Sequence, residues 1–209
     1  MPDSPFDRPR VALNRIYTRQ GDAGETRLAG GQTVPKDSPR IDCYGIVDEL
    51  NSIAGIARVT LEESPNRSPD LDRLAAILLR VQHELFNLGS ILATLPQDVH
   101  PRQARVTQAE IDQLEAEMDS MNAELAPLRS FVLPGGCRAN AELHLGRTVC
   151  RRAERVATAL ARIEPVPPEV IAYLNRLSDA FFVWSRWVSH KMAAAETLWE
   201  PNKTASGNK

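Results

Sequence analysis

The feature that most constrains the fold is a helical repeat of apolar residues that runs from Ile41 to the region of residue 195. Apolar residues recur three and four positions apart, which is the period of an α-helix with one buried face. Segments rich in Pro, Gly and Asp interrupt this repeat. We therefore predict five helices, at residues 41–61, 70–95, 107–122, 137–162 and 168–195. Thr107 and Glu110 have the spacing of a capping box before the third helix.

No alternating strand pattern and no internal repeat accompany the helical segments. The prediction is an all-α fold, a five-helix bundle with ferritin-like up-down packing, in one domain at residues 15–195. Residues 1–14 are predicted to be disordered and residues 196–209 to form a flexible tail. Residues 15–40 are rich in Gly, Thr, Asp and Pro and predict a long loop. A loop of this length in a compact chain is usually functional or disordered.

The charge balance argues against a nucleic-acid partner, because 25 Lys and Arg residues face 27 Asp and Glu residues. The chain has three cysteines and no C-x-x-C pair, which favours reduced thiols over a disulfide framework. No apolar run is long enough to span a bilayer, so no membrane partner is expected. The first residues, MPDSPFDRPR, show neither an apolar h-region nor an amphipathic presequence pattern, so no targeting sequence is expected. These observations predict a cytoplasmic protein.

The stretch GRTVCRRAER, residues 146–155, carries a cluster of arginines on the fourth helix. A helical wheel places Leu145, Val149, Ala153, Val156 and Leu160 on one side. It places Arg147, Arg151, Glu154 and Arg155 on the other side, and Arg152 nearer to the apolar side. A solvated face with Glu154 paired to Arg151 or Arg147 explains this pattern. A seat for phosphate or carboxylate also explains it, because arginine binds both in a bidentate manner.

The last helix divides in the same way. Val170, Leu177, Phe181, Trp184 and Val188 share one face, and Asn175, Asp179, Phe182 and Arg186 share the other. A phenylalanine among polar residues fits the lining of a mixed apolar and polar site. A buried polar network or a seam between subunits fits equally well.

The loop YTRQGDAGETRLAGG, residues 17–31, is a second candidate anion site. Its glycines allow backbone N–H groups to approach a ligand, and Thr18, Arg19, Thr26, Arg27 and Lys36 add donors and positive charge. The spacing of a P-loop is absent. An anion-binding loop and a flexible surface loop both remain open. The four histidines have no metal-binding spacing, so we expect no metal site made of side chains.

Five segments in order resemble the trimeric, five-helix family of ATP:cob(I)alamin adenosyltransferases, also called PduO-type corrinoid adenosyltransferases. They are IYTRQGDAGET, VPKDSPRIDCYGIVDELNS, FVLPGG, GRTVCRRAER and YLNRLSDAFFVWSR, which together span residues 15–192. The resemblance implies a transferase that moves the 5′-deoxyadenosyl group of ATP to the cobalt of reduced cobalamin and releases triphosphate. It also implies Mg²⁺, a homotrimer with active sites between subunits, and contacts with a reductase and an adenosylcobalamin-dependent mutase.

The same resemblance implies roles for individual residues. Asp48 would pair with Arg151 across the subunit boundary, and Phe131 and Phe182 would contact cobalamin, with Phe131 excluding the lower axial ligand. Gln20 and Gln32 depart from the family pattern, which usually has Thr or Ser at the first position and Glu at the second. The residues that would bind ATP are Thr18, Arg19, Gln20, Gly21, Asp22, Thr26, Arg27, Lys36, Arg147, Arg151, Arg152, Glu154, Arg155 and Asn175.

Two other functions compete with this one. A nucleotide- or RNA-binding module could use the arginine helix without catalysis, although the acidic net charge argues against RNA. A helical scaffold could carry an incidental charged face. The absence of a catalytic triad or acid–base pair agrees with adenosyl transfer, because cob(I)alamin is itself a strong nucleophile. The protein then has only to align ATP with cobalt and to stabilise the leaving triphosphate.

Overall fold

A computed structural model of the chain describes residue 17, residues 19–201 and residues 203–204. Within these residues the chain forms five α-helices: α1 (Pro39–Glu62), α2 (Pro69–Leu92), α3 (Gln108–Asn122), α4 (Arg138–Leu160) and α5 (Pro168–Lys191). Four short strands accompany them: β1 (Glu25–Arg27), β2 (Thr33–Pro35), β3 (Val132–Leu133) and β4 (Thr197–Leu198). The predicted five-helix, all-α fold is confirmed. The disorder predicted for residues 1–14 lies outside the described residues.

The helices begin where local chemistry favours a start. The capping box predicted at Thr107 is present, since Thr107 Oγ1 accepts from the backbone N–H of Ala109 and Glu110 accepts from that of Thr107. Ser68 caps α2, and its hydroxyl accepts from the N–H of Leu71. Proline stands in the first turn of α1, α2 and α5, where its missing N–H costs no helical hydrogen bond.

Helix α5 lies at the centre of the bundle. It packs against α4 and α3 and touches α2, while α1 packs against both α2 and α4. Its buried face carries the largest enclosed side chains of the described chain, including Trp184, Trp187, Tyr173 and Phe181. Gly146 of α4 allows this packing to be close, because a β-carbon there would stand 2.8 Å from the ring of Phe181. Helix α4, which carries the arginines, is therefore fixed between α1 and α5.

The helical wheel of α4 was wrong at its edge. Leu145, predicted to pack in the bundle, is 51% exposed, and Val156 is only half-buried. The buried arc is instead centred on small residues such as Gly146, Ala153 and Ala157. The physical reason is that α4 packs against two helices, α1 and α5, so the buried arc faces between them.

The loop before α1 is more ordered than the sequence indicates. Strands β1 and β2 pair antiparallel, with Thr26 opposite Val34. The turn between them is docked onto the end of α2, because the N–H of Ala29 donates to the carbonyl of Ala93 over 2.9 Å and Leu28 is buried. Gln32 Nε2 donates to Asp98 Oδ2 over 2.6 Å. A glutamate at position 32 would face Asp98 with like charge, so glutamine suits this position.

The chain's three thiols are all free. Cys43 and Cys150 are buried, and Cys137 is half-buried where it caps the start of α4. Burial raises the pKa of the Cys43 thiol to about 11. Burial also raises the pKa of Cys150 well above its ordinary value. Both buried thiols are therefore protonated and unreactive at neutral pH.

Candidate active site

Lys36 is held against the glycine turn that precedes β1. Its backbone N–H donates to the carbonyl of Gly24 over 2.9 Å, and the N–H of Gly24 donates to that of Gly21 over 3.2 Å. A β-carbon at Gly21 would stand 2.9 Å from Lys36 Nζ. Glycine at this position therefore lets the ammonium group lie beside the turn. Gly24 has a φ of 86°, which side chains other than glycine rarely adopt.

The other predicted residues of the loop lie around this turn and on β1. Arg19, Gln20 and Asp22 are exposed, and the Arg19 guanidinium lies 5.9 Å from the centre of the Tyr17 ring. Thr26 is half-buried and Arg27 is exposed on β1. Thr18 lies outside the described residues.

The arginines of α4 line two adjoining open cavities. Arg151, Glu154, Arg155 and Asn175 line the first, which has a volume of about 430 Å³. Arg155 also lines the second, of about 590 Å³, together with Lys36 of the loop. The structure thus brings the loop, α4 and α5 together around two cavities that share Arg155 and together make up the recess.

Arg151 and Arg155 are exposed, and neither makes an ion pair or a side-chain hydrogen bond within the described part of the chain. The solvated-face interpretation predicts that Glu154 pairs with Arg151 or Arg147. Glu154 forms no such ion pair within the described residues. It accepts a hydrogen bond from Asn175 Nδ2 over 2.9 Å, which joins α4 to α5. The two guanidinium groups therefore remain available to an anion in the recess.

Arg147 lies one turn earlier and belongs to a different environment. Its guanidinium lies 5.6 Å from the centre of the Phe182 ring, and Phe182 in turn lies 6.0 Å from the ring of His144. His144 is buried and its Nε2 lies 3.2 Å from Ser185 Oγ. Burial, and secondly the positive charge of Arg147, lower the pKa of His144. The half-buried Phe182 ring, with the buried His144 beside it, thus offers an apolar surface next to one arginine.

Arg152 has a partner of its own. It forms an ion pair with Glu49 of α1 and is not among the residues that line the recess. In contrast to the wheel's placement near the apolar side, its side chain is 45% exposed. Arg186 of α5, placed on the polar face by the sequence, is buried and pairs with Glu196 over 2.9 Å.

Asp48 and Phe131 lie apart from the arginine recess. Asp48 is exposed on α1 and lines a cavity with Tyr44 and Phe86, and within the described chain it makes no ion pair with Arg151. Phe131 is 77% exposed and precedes β3. Both side chains are therefore open to a neighbouring molecule.

No cluster of His, Cys, Asp or Glu side chains suited to a metal ion occurs in the described ranges. The same residues contain no helix that is long and apolar enough to cross a membrane.

Three supporting residues are absent from the sequence predictions. Arg40 is buried, and its guanidinium binds the Leu92 carbonyl over 2.8 Å and Glu164 over 2.7 Å, which fixes the start of α1. Arg162 and Thr158 line the first cavity beside Arg155. Extending the arginine stripe by further steps of three and four residues finds Thr158 and Arg162. Arg40 has no such local signal, because its partners are distant in sequence.

Comparison with known proteins decides the family. Residues 16–188 match the cobalamin adenosyltransferase family. The chain belongs to this family. It is 40% identical over 186 residues to the corrinoid adenosyltransferase of Bacillus subtilis (strain 168), which covers 89% of this chain and 92% of that one. It is also 40% identical over 202 residues to the Mycobacterium tuberculosis (strain H37Rv) corrinoid adenosyltransferase, which covers 94% and 99%.

Solved cobalamin adenosyltransferases share the fold. A variant PduO-type ATP:corrinoid adenosyltransferase from Lactobacillus reuteri, complexed with cobalamin and ATP, superposes with a TM-score of 0.80 at 33% identity, covering 88% of this chain and 99% of that chain. Another variant, complexed with ATP, gives 0.79 at 32% identity and covers 88% and 100%. The family resemblance inferred from the five motifs is confirmed.

Proposed function

We propose that this chain is an ATP:corrinoid adenosyltransferase, which transfers the 5′-deoxyadenosyl group of ATP to the cobalt of cob(I)alamin. Its relatives carry this activity in their names. The observation that carries the proposal is the recess in which Lys36, Arg151 and Arg155 lie together. Around this open recess, the three cations have no carboxylate ion pair within the described part of their own chain, which suits the triphosphate of ATP.

The reaction needs little acid–base chemistry from the protein. Two electrons of Co(I) form the bond from cobalt to C5′, the C5′–O bond breaks, and its electron pair leaves with the triphosphate. The charge that develops on the leaving oxygen needs cations that are already in place. Arg151, Arg155 and Lys36 supply them, and the glycine turn at residues 21–24 allows a close approach of the backbone.

The remaining predicted contacts follow from position. Asn175, which donates to Glu154, lines the first cavity, and its amide oxygen, which accepts no hydrogen bond from the described residues, would orient a nucleotide. Arg19, Gln20, Asp22, Thr26 and Arg27 would complete the phosphate contacts from the loop. Arg152 contributes indirectly, because its pair with Glu49 holds α4 against α1. Mg²⁺ would bind through the triphosphate oxygens rather than through a side-chain cluster and would neutralise part of their charge.

The assembly proposed is a homotrimer in which Asp48 of one subunit pairs with Arg151 of the next. Asp48 of α1 lines a cavity with Phe86 of α2, which is 69% exposed. Leu79, also on α2, is 44% exposed. An exposed apolar surface beside a carboxylate that has no ion pair among the described residues suits a subunit interface. Such an interface would bring Asp48 to the arginine that lacks a partner within its own chain.

The corrin is proposed to lie against Phe182 and Phe131. The Phe182 ring, flanked by His144, offers an apolar surface, and the exposed Phe131 ring can cover the lower face of cobalt. Keeping water off cobalt would make Co(II) easier to reduce. We also propose that the protein is cytoplasmic, which agrees with its three free thiols. It also includes a reductase that supplies electrons and a mutase that accepts adenosylcobalamin.

Anaerobic incubation with ATP, Mg²⁺ and chemically reduced cobalamin tests this function. The visible spectrum should change from that of cob(I)alamin to that of adenosylcobalamin, with one triphosphate released per product. Omission of ATP is the control. A folded protein that binds ATP but forms no adenosylcobalamin would refute the proposal.

A further inference from the structure

The Phe131 ring has little of the bundle to hold it in place. It is 77% exposed and lies directly before β3, outside all five helices. An exposed phenylalanine samples several rotamers, because no packing selects one of them. A ring that must cover one face of cobalt needs a defined position. Something other than the helical core must therefore position it.

The segment after α5 supplies this support. Strand β4 pairs antiparallel with β3, with Val132 opposite Leu198. The pairing extends by one residue, since the backbone N–H of Trp199 donates to the carbonyl of Phe131 over 2.8 Å. On the other side, Ser130 Oγ donates to the carbonyl of Trp199 over 2.7 Å. The backbone of Trp199 is thus hydrogen-bonded to the Phe131 carbonyl and to the side-chain hydroxyl of Ser130, the residue before Phe131.

The two aromatic rings meet across this pairing. The ring centres of Phe131 and Trp199 are 6.1 Å apart, with an angle of 58° between the planes. This separation and tilt lie in the range that is favourable for aromatic pairs. Trp199 is itself 45% exposed, so the core encloses neither of the two rings.

The segment is anchored to the bundle before it reaches Trp199. Glu196 accepts hydrogen bonds from the buried Arg186 over 2.9 and 3.2 Å. Ala195 packs against the LPGG turn, where a β-carbon at Gly136 would stand 2.7 Å from the Ala195 carbonyl oxygen. The contacts of Ala195 and Glu196 therefore hold the start of β4 against the bundle. The pairing of β4 with β3 then sets the position of the Trp199 backbone.

We propose that Trp199 is a positioning residue, which holds the Phe131 ring over the lower face of cobalt and so keeps water from that face. This inference rests on the proposed adenosyl transfer. Trp199 acts through Phe131, so its loss should affect the coordination of Co(II) more than the binding of ATP. It should also affect the reaction that starts from Co(II) more than the reaction that starts from cob(I)alamin.

The test compares Trp199→Ala and Trp199→Phe in the full chain. Leu198→Ala is the matched control, because Leu198 is an exposed apolar side chain on the opposite face of the same strand. With ATP bound, visible and electron paramagnetic resonance spectra report the fraction of cob(II)alamin that has lost its axial water. We expect Trp199→Ala to lower the ratio of cob(II)alamin without axial water to cob(II)alamin with it about tenfold, Trp199→Phe to restore most of this ratio, and Leu198→Ala to leave it unchanged.

Combination with Phe131→Ala decides whether Trp199 acts through Phe131. If it does, Phe131→Ala with Trp199→Ala loses no more than Phe131→Ala alone. Additive losses, or a Trp199→Ala spectrum identical to that of the unchanged protein, would overturn the inference. Absence of adenosylcobalamin in the unchanged protein, supplied with preformed cob(I)alamin, would instead overturn the proposed function. Thermal unfolding of each variant verifies that it is folded.

Discussion

Arg151 and Arg155 differ from the arginines that stabilise the bundle. Arg40 and Arg186 are buried and each binds a carboxylate and a backbone carbonyl. Arg151 and Arg155 are exposed and, within the described chain, have no such partners. Their positive charge is therefore available to a ligand, whereas removal of Arg40 would leave the buried Leu92 carbonyl without this partner.

The first prediction concerns Arg151→Ala. We expect the rate of adenosyl transfer to fall by about 100-fold or more, because a preorganised charge on the leaving triphosphate is lost. The free energy of unfolding should change by less than about 0.5 kcal/mol, since the side chain is exposed and unpaired. Steady-state kinetics and urea unfolding measure the two quantities. Arg73→Ala on the exposed side of α2 is the control and should keep full activity.

His144 predicts a pH dependence of stability. Its pKa is lowered by burial first and by the charge of Arg147 second, with Glu196 opposing. The unfolded chain therefore takes up a proton at higher pH than the folded chain does. The contribution of neutral His144 to the free energy of unfolding is fully present above the ordinary pKa of 6.5 and is lost as the pH falls below it. The loss is at most about 1.4 kcal/mol per pH unit.

Urea unfolding of the unchanged protein and of His144→Gln, at pH values from about 5 to about 7.5, tests this. The variant should lose less stability than the unchanged protein over the acid part of the range. His190→Gln, at an exposed position, serves as the control. Parallel pH profiles for the unchanged protein and His144→Gln would contradict the prediction.

At the scale of elements, two opposing effects decide the stability of a Gly146→Ala variant at the contact of α4 with α5. Alanine favours a helix over glycine by about 1 kcal/mol. Its β-carbon, however, would stand 2.8 Å from the ring of Phe181, which is fully buried and cannot move freely. Overpacking of this kind costs about 1–3 kcal/mol. We expect Gly146→Ala to destabilise the protein by about 1 kcal/mol net, measured by urea unfolding.

A double mutant separates these effects. Phe181→Leu removes the ring that obstructs the new β-carbon. In the Phe181→Leu background, Gly146→Ala should therefore cost less or become stabilising, which gives a coupling energy between the two sites. Equal effects in both backgrounds would show that the ring is not the obstacle.

The elements also show what could be predicted from the sequence. The five helices could be predicted, because each carries several turns of one apolar period. The cap at Thr107 could also be predicted, because it involves only residues that are close in sequence. Strands β3 and β4 could not, since two residues have no period and the strands are paired across α4 and α5. The partner of Arg152 was missed because Glu49 lies 103 positions away. Leu145 was misplaced because a wheel does not say how many neighbours a helix has.

The candidate site also contains parts that the sequence predicts and parts that it does not. Arginine spacing on α4 places Arg151 and Arg155 together, and they line the same cavity. The approach of Lys36 to Arg155 depends on a fold that returns the loop to the end of α4, which local sequence does not encode. Trp199 was assigned to a flexible tail, because its strand partner lies before α4.

At the scale of the whole molecule, we propose that a neighbouring subunit of a trimer completes the site. Sedimentation or light scattering should give a mass of three times the chain's 23.1 kDa. Asp48→Ala and Arg151→Ala should each be inactive as pure trimers. A mixture assembled at random should recover about a quarter of the sites, because one subunit can supply Asp48 and the next Arg151.

This recovery distinguishes the two arrangements. If one chain supplied both residues, every subunit in the mixture would carry one defect and no activity would return. Trimers that contain only one variant are the control for each preparation. Recovery requires exchange of subunits, so the mixture should be made by co-expression with two different affinity tags.

The positions of the three cysteines have a practical consequence. Cys43 and Cys150 are buried with raised pKa values, whereas Cys137 is half-buried at the start of α4. A thiol-specific fluorophore should therefore attach selectively to Cys137 of the native protein, without mutagenesis. The label would sit beside the LPGG turn, a few residues along the chain from Phe131. Cobalamin absorbs visible light strongly, so quenching of this label would give a direct titration of corrin binding.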